Sequence, residues 1–154
     1  MRIKKIISGG QSGVDIGALD FSIENKISCD GWCPKGRCNE DGFIPYHYPL
    51  KEAPLEDTAC RTFLNILDSD GTLILSLKNY LQDGTDLTHN LCLLIKKPVL
   101  ILDLNDSIST NILLAKEFIA QNEIEVINIA GNRESQSQGI YRKTIEFLQG
   151  LFDD

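Results

Sequence analysis

Turns rich in glycine, hydroxyl and charged residues hold the side chains whose types and spacing could do chemistry. The first is Ser8-Gly9-Gly10-Gln11-Ser12-Gly13-Val14-Asp15, which follows one apolar run and opens a helical one. A glycine pair after a strand lets the backbone turn sharply. The unpaired N–H groups of the helix that follows form a positive end, suited to a phosphate or another oxyanion. The same residues also serve a tight turn that only packs helix on strand. The stretch is not a Walker A loop, because the Gly-Lys-Ser/Thr ending is missing, and it is not a GxGxxG fingerprint.

A second segment, Gly31-Trp32-Cys33-Pro34-Lys35-Gly36-Arg37, runs on to Asn39-Glu40-Asp41-Gly42. Lys35 and Arg37 put two cations in an acidic chain, and Trp32 offers a flat face on which a heterocycle could stack. A buried Trp anchoring a flap, with solvated cations beside it, is the equal alternative. The third segment is Asp83-Gly84-Thr85-Asp86-Leu87-Thr88, where backbone N–H groups and a hydroxyl at a helix start suit phosphate or ribose oxygens; simple N-capping explains Thr85 as well. His89, one turn further on, reads as a surface or packing residue rather than a base. In the fourth, Gly131-Asn132-Arg133-Glu134-Ser135, Arg133 could close an anion site from the far side. Its alternative is a surface ion pair between Arg133 and Glu134.

No catalytic constellation stands out. The chain has no GxSxG elbow, no HExxH and no cysteine–histidine pair at a recognisable spacing. Candidate acids and bases are Asp15, Glu40, Asp41, Asp70, Asp86 and Glu134. Cys29, Cys33 and Cys38, with His47 behind them, could be drawn as zinc ligands, but no CxxC pair supports this and ordinary thiols are the simpler reading.

The elements that must position these turns alternate between short apolar runs and helical periodicity. Ile3 to Ser8 reads as a strand and Ser12 to about Asn25 as a helix; Ile27 to Trp32 is a second strand. Cys33 to about Leu55 contains Pro34, Pro45, Pro49 and Pro54 with Gly36 and Gly42, so it reads as irregular, and a connection of that length is more often functional than neutral. Helices follow at Asp57 to Leu67, within Asp83 to Lys97, at Ser107 to Gln121 and from about Gly139. Strands fall at Gly71 to Leu77, Pro98 to Asp103 and Glu125 to Ala130. Near-continuous apolar strands are those covered by helices on both faces. The expectation is one α/β domain over residues 1–154: a three-layer Rossmann-like sandwich with a mainly parallel sheet of about five strands. In such a sheet, ligands bind beyond the carboxyl ends of the strands, where these turns lie.

Composition narrows the function. The 154 residues are 42% hydrophobic and carry 15 Lys and Arg against 22 Asp and Glu, a net charge of −7. A non-specific nucleic-acid binder shows the opposite balance. The apolar runs Leu91 to Ile95 and Val99 to Leu102 are too short to span a bilayer, and the sequence reads without a signal peptide. Five cysteines without a secretion signal suit reduced thiols in the cytoplasm.

The ordered motifs SGGQSGVD at 8–15, GWCPKGR at 31–37, EDG at 40–42, IPYHYPL at 44–50, Arg61-Thr62, Asn65, DSDGTLIL at 68–75, Gly84-Thr85 with Thr88, Lys97-Pro98, INIAGNRES at 127–135 and Gly139-Ile140-Tyr141 span almost the whole chain. In them the sequence resembles the molybdenum cofactor carrier proteins. These are Rossmann-like relatives of the lysine-decarboxylase-like, cytokinin-activating phosphoribohydrolases. Asp83 stands where that family tends to have glycine, and Asn132 where it tends to have proline. The hydrolase motif PGGxGTxxE is incomplete, since Thr88 occupies its glutamate position, which argues against that activity.

The resemblance implies binding and protection of the molybdenum cofactor (molybdopterin), a phosphate-bearing pterin with an oxidisable dithiolene, or of a similar nucleotide-like ligand. The residues expected at the site are Gly9, Gly10, Gln11, Ser12, Gly13, Trp32, Lys35, Gly36, Arg37, Gly84, Thr85, Arg133, Glu134 and Ser135, with no catalytic residue. A homodimer or higher homo-oligomer is expected, with no nucleic acid or membrane partner. The alternative is a small hydrolase of nucleotide N-glycosidic or phosphate bonds using Glu40, Asp41 or Glu134. A nucleotide-sensing module acting on a partner protein is a third reading.

Overall fold

The computed structural model of the chain describes residues 2–77 and 83–153, with side chains from residue 86 onward in the second segment. Its elements, in chain order, are β1 (Lys5–Ile7), α1 (Val14–Glu24), β2 (Ser28–Cys33), β3 (Cys38–Asn39), β4 (Gly42–Phe43), β5 (Leu50–Glu52), α2 (Thr58–Leu67), β6 (Gly71–Ser76), α3 (Asp83–Leu94), β7 (Val99–Asp103), α4 (Ile108–Gln121), β8 (Val126–Gly131) and α5 (Ile140–Phe152). Six strands form one parallel sheet in the order β5-β2-β1-β8-β6-β7, and β3 and β4 form a small antiparallel hairpin. The three-layer α/β architecture is as the sequence implied, with six strands rather than about five.

The additional strand comes from the stretch expected to be irregular. Leu50–Glu52 pairs in parallel with β2, Trp32 opposite Lys51. Its position at the sheet edge explains how a strand forms among prolines, since an edge strand leaves one side of its backbone unpaired and tolerates Pro49 directly before it. The two strands are joined without a helix; the connection is the flap that carries the β3–β4 hairpin.

Strand alternation divides the sheet into two unlike faces. Leu73, Leu75, Ile127 and Ile129 join Val14, Ala18 and Phe21 of α1, Ala115 and Ile119 of α4, and Ile140, Phe147 and Leu148 of α5 in one apolar core. The intervening positions are more polar: Thr72 and Ser76 of β6 and Asn128 of β8 are buried, beneath the layer of α2 and α3, which pack on each other. Asn128 Nδ2 donates to Thr72 Oγ1 at 3.2 Å, and Asn65 of α2 accepts from the Trp32 N–H at 2.7 Å. This hydrogen-bonded face leads up to the carboxyl edge of the sheet, where the β1–α1 turn and the β8–α5 loop meet.

Helix α1 starts two residues later than the expected Ser12. Gly13 has φ +79°, outside the right-handed helix region, and a Cβ there would lie 2.5 Å from the carbonyl oxygen of Asn132. Glycine thus ends the first turn and lets it press against the loop after β8. Ser12, left outside the helix, has its hydroxyl available for other partners.

Candidate functional site

At the carboxyl edge the β1–α1 turn, the first turns of α2 and the loop after β8 surround a cleft of about 180 Å³, lined among others by Gln11, Asp15, Arg61, Thr88, Gly131 and Arg133. It sits where the strand order reverses: the chain runs outward from β1 through β2 to β5, then crosses to β6, and β8 returns between them. This is where an open parallel sheet leaves a crevice for ligands.

Asp15 and Arg61 form the floor of the cleft. Asp15, on the first turn of α1, accepts from the Gln11 N–H at 3.1 Å and lies 3.3 Å from Nη1 of Arg61. Both side chains are largely buried, with 5% and 13% of their surface exposed. Burial pushes the Asp15 carboxyl above its usual range, against the opposing pull of Arg61 and of the Gln11 and Ser8 hydrogen bonds. Nε of Arg61 is buried with no hydrogen-bond partner. A buried donor left unmade costs about 1–3 kcal/mol, and more for a charged group, so the guanidinium lines the cleft with hydrogen-bonding capacity that Asp15 alone does not satisfy. Gly9 makes room for it: a Cβ at that position would lie 1.8 Å from Nη1 of Arg61.

Arg61 follows from the local sequence of α2. Asp57 caps the helix, its side chain accepting from the Cys60 N–H at 2.8 Å, and Arg61 lies one turn into it. Sequence reading noted Arg61 only as part of the resemblance and did not place it, or Asp15, at the site. The signal that could have found it is a cation one turn inside a capped helix of an acidic chain, directly after the irregular stretch.

Beside the cleft, the tip of the β3–β4 hairpin reaches over the β1–α1 turn. Glu40 accepts a short hydrogen bond from the Ser12 hydroxyl, another from the Ser135 hydroxyl at 2.5 Å and a third from the Ser135 N–H at 3.3 Å. Gln11 Oε1 accepts from the N–H groups of both Ser12 and Glu40 at 3.0 Å, and Asn39 donates to the Gly10 carbonyl at 2.9 Å. Desolvation raises the Glu40 carboxyl, but the Ser12 and Ser135 hydrogen bonds and the charge of Arg133 outweigh it and leave the group below its usual range.

The residues expected at the site separate into those brought together and those engaged elsewhere. Gln11 and Arg133 line the cleft, Gly9 borders its floor, and Gly10, Ser12, Gly13 and Ser135 belong to the adjoining turns. Arg133 makes no ion pair among the described residues, so the alternative of a surface pair with Glu134 is not what forms. Glu134 instead caps α5, accepting from the N–H groups of Gly139 at 2.5 Å and Tyr141 at 3.0 Å.

Arg37 does not face the cleft. It is buried, and its guanidinium donates to the carbonyls of Ile44, Leu50, Pro45 and Tyr48 at 2.7–2.9 Å, organising the flap. Lys35 and Gly36 are exposed on that flap, with the Gly36 N–H bound to Glu52. Trp32 donates from its indole to Asp68, at the opposite end of α2 from the cleft, and Lys51 lies 4.5 Å from its ring centroid. Trp32 is thus packed at the sheet edge. Gly84 and Thr85 fall in the first turn of α3, and their side chains lie outside the described residues. His89 is partly buried on α3.

A larger cavity, about 810 Å³, lies at the opposite edge between Arg2, Lys116, Ile119 and Glu125. It has neither a buried charge nor an unpaired buried polar atom, so it lacks the features that mark the smaller cleft. The five cysteines are free thiols, with Cys33 and Cys92 buried. No helix among the described residues is long and apolar enough to cross a membrane.

A model of the circularly permutated YpsA SLOG family matches residues 6–152. The crystal structure of a protein from Syntrophus aciditrophicus SB, described as "Putative molybdenum carrier protein", is 43% identical in sequence and superimposes with a TM-score of 0.96 over 99% of this chain and 96% of that one. No curated protein matches the chain.

Proposed function

Since the chain belongs to the circularly permutated YpsA SLOG family, we propose that it binds, and carries or protects, an anionic pterin such as the molybdenum cofactor or a similar phosphate-bearing, nucleotide-like ligand. One observation carries this reading: the buried, incompletely paired guanidinium of Arg61 at the floor of a cleft at the sheet's switch point. The name of the 43% identical neighbour supports the cofactor as the ligand class.

The residues fit the phosphate end of such a molecule. Arg61 and Arg133 supply positive charge, Gln11 and Thr88 supply polar walls, and a cleft of about 180 Å³ takes a phosphate and its immediate neighbour. Whole ligands of this class occupy sites of about 300 Å³ or more, so the ring system would extend over the adjoining turns. No Cys or His lines the cleft, so the metal would be held by the cofactor's own dithiolene. The chain's part is to bind the anion, orient it and shield one end from water.

Carboxylates placed for structure do not favour hydrolysis: Glu134 caps α5, and Glu40 is held by two serines. We extend the proposal to a homo-oligomer. Phe63 and Leu67 of α2 and Leu93 and Leu94 of α3 are exposed on one helical layer, which supports pairing there.

Titration calorimetry with inorganic phosphate tests the cleft. Arg61→Met should weaken binding about tenfold or more, the loss of a charge-assisted hydrogen bond worth about 1.5–3 kcal/mol. Mass spectrometry of small molecules released from gently purified protein should find a phosphorylated pterin or nucleotide. Undiminished phosphate affinity in Arg61→Met, or turnover of nucleoside monophosphates that Glu134→Gln abolishes, would sink the reading.

A further inference from the structure

We propose that Glu40 is a tethered competitor for the ligand: its carboxylate occupies an oxyanion cradle made by Ser12 and Ser135, and a phosphoryl-bearing ligand displaces it, releasing the β3–β4 hairpin from the β1–α1 turn beside the cleft. The inference rests on the reading of the cleft as an anion site but concerns a different group of residues.

The cradle's donors are of the kind that bind phosphate: two hydroxyls and a backbone N–H converge on one carboxylate. A fourth contact ties the cradle together, because the Glu134 N–H donates to Ser12 Oγ at 3.2 Å. The chain itself thus shows that an anion is accepted there. Arg133 lines the cleft on one side and acts on Glu40 through its charge. A phosphate monoester, carrying up to two negative charges against one for a carboxylate, gains more from the same guanidinium.

The position of the hairpin makes displacement consequential. On one side of the β8–α5 loop lies the cleft with Arg133 and Gln136; on the other lies an open cavity of about 500 Å³ lined by Glu40, Asp41, Glu134, Ser135 and Gln138. Glu40 lines the outer cavity, so withdrawing it opens the Ser12 and Ser135 donors to that larger space, which supplies the volume a nucleotide-like ligand needs. Release breaks the hydrogen bonds of Asn39 to Gly10 and of the Glu40 N–H to Gln11; the ladder itself, with only the pairs Cys38 with Phe43 and Asn39 with Gly42, adds little resistance, since so short a ribbon has little stability of its own.

Phosphate titrations of Glu40→Ala and Glu40→Gln, paired with hydrogen exchange over residues 38–43, test the proposal. Glu40→Ala should bind inorganic phosphate at least tenfold more tightly than the parent chain, with Glu40→Gln between them. In the parent chain saturating phosphate should speed exchange in the hairpin; in Glu40→Ala exchange should be fast from the start and unresponsive. Ser135→Ala separates competition from loosening, because it should speed hairpin exchange without a gain in affinity. Unchanged or weaker phosphate binding by Glu40→Ala, or slower hairpin exchange on adding phosphate, overturns the competitor. If Arg61→Met loses phosphate while Glu40→Ala gains none, only the competitor fails. If Glu40→Ala gains and Arg61→Met loses nothing, only the cleft reading fails, and absence of binding by every variant overturns both.

Discussion

Asp15 lies where burial and an ion pair oppose each other, and burial dominates. Its folded value is raised above that of the unfolded chain, so the native state holds a proton that the unfolded state has already released. The resulting stability is present below the ordinary carboxylate range and is lost as pH rises through the raised value. Asp15→Asn, which cannot ionise, should flatten that decline, as urea midpoints measured from pH 4 to about pH 8 would show. A steeper decline in the variant would mean that the native carboxylate is the favoured form. Burial decides the role of Arg37 as well. Arg37→Met leaves carbonyls of Ile44, Leu50, Pro45 and Tyr48 without their donor and should cost about 3 kcal/mol, whereas Lys35→Ala, on the exposed flap, should stay within about 0.5 kcal/mol. Sequence reading gave both cations the same role, because residue type reports charge and not burial. Arg61 is hard to find for the converse reason: nothing in its type shows that α2 turns it toward Asp15.

At the scale of elements, the site depends on two loops pressed together. The β1–α1 turn meets the β8–α5 loop at Gly13, whose missing side chain leaves room for the Asn132 carbonyl. Gly13→Ala should cost about 2–3 kcal/mol through its positive φ and the clash, and should weaken phosphate binding by separating Gln11 from Arg133. A variant as stable as the parent, or one that binds phosphate equally well, would show that the loops need not touch. The helices and central strands were legible because their apolar spacing is governed by burial against neighbouring layers. The flap was not, since β5 is defined by pairing with β2 and by the Arg37 contacts, and neither leaves a periodic trace in residues 33–55. Asp20 adds an anchor of the same hidden kind. It accepts from the hydroxyls of Tyr48 on the flap and Tyr141 on α5, both at 2.7 Å, and burial, with the bond to Asp20 and its charge, pushes Tyr141 up to about 12.

For the whole molecule, binding and stability are linked. Phosphate at a hundred times its dissociation constant should stabilise the fold by about 2.7 kcal/mol, a rise in Tm of about 5–10 °C for a chain of this size; a flat Tm would contradict a native-state anion site. The charge of −7 takes on a local meaning, because Arg61 and Arg133 lie inside the cleft while Glu40, Asp41 and Glu134 border its outer neighbour. Small anions should bind, and polyanions should be repelled. Size-exclusion chromatography of Leu94→Glu beside the parent chain tests the oligomer, which should elute later in the variant. The sheet order also bears on biosynthesis. β8, the last strand in sequence, pairs with both β1 and β6. A ribosome must therefore complete β8, which ends at Gly131, before the two halves of the sheet can join. Until then β1 and β6 each present an open edge to other nascent chains, so the molecule's greatest exposure to misassembly falls in the interval before β8 emerges.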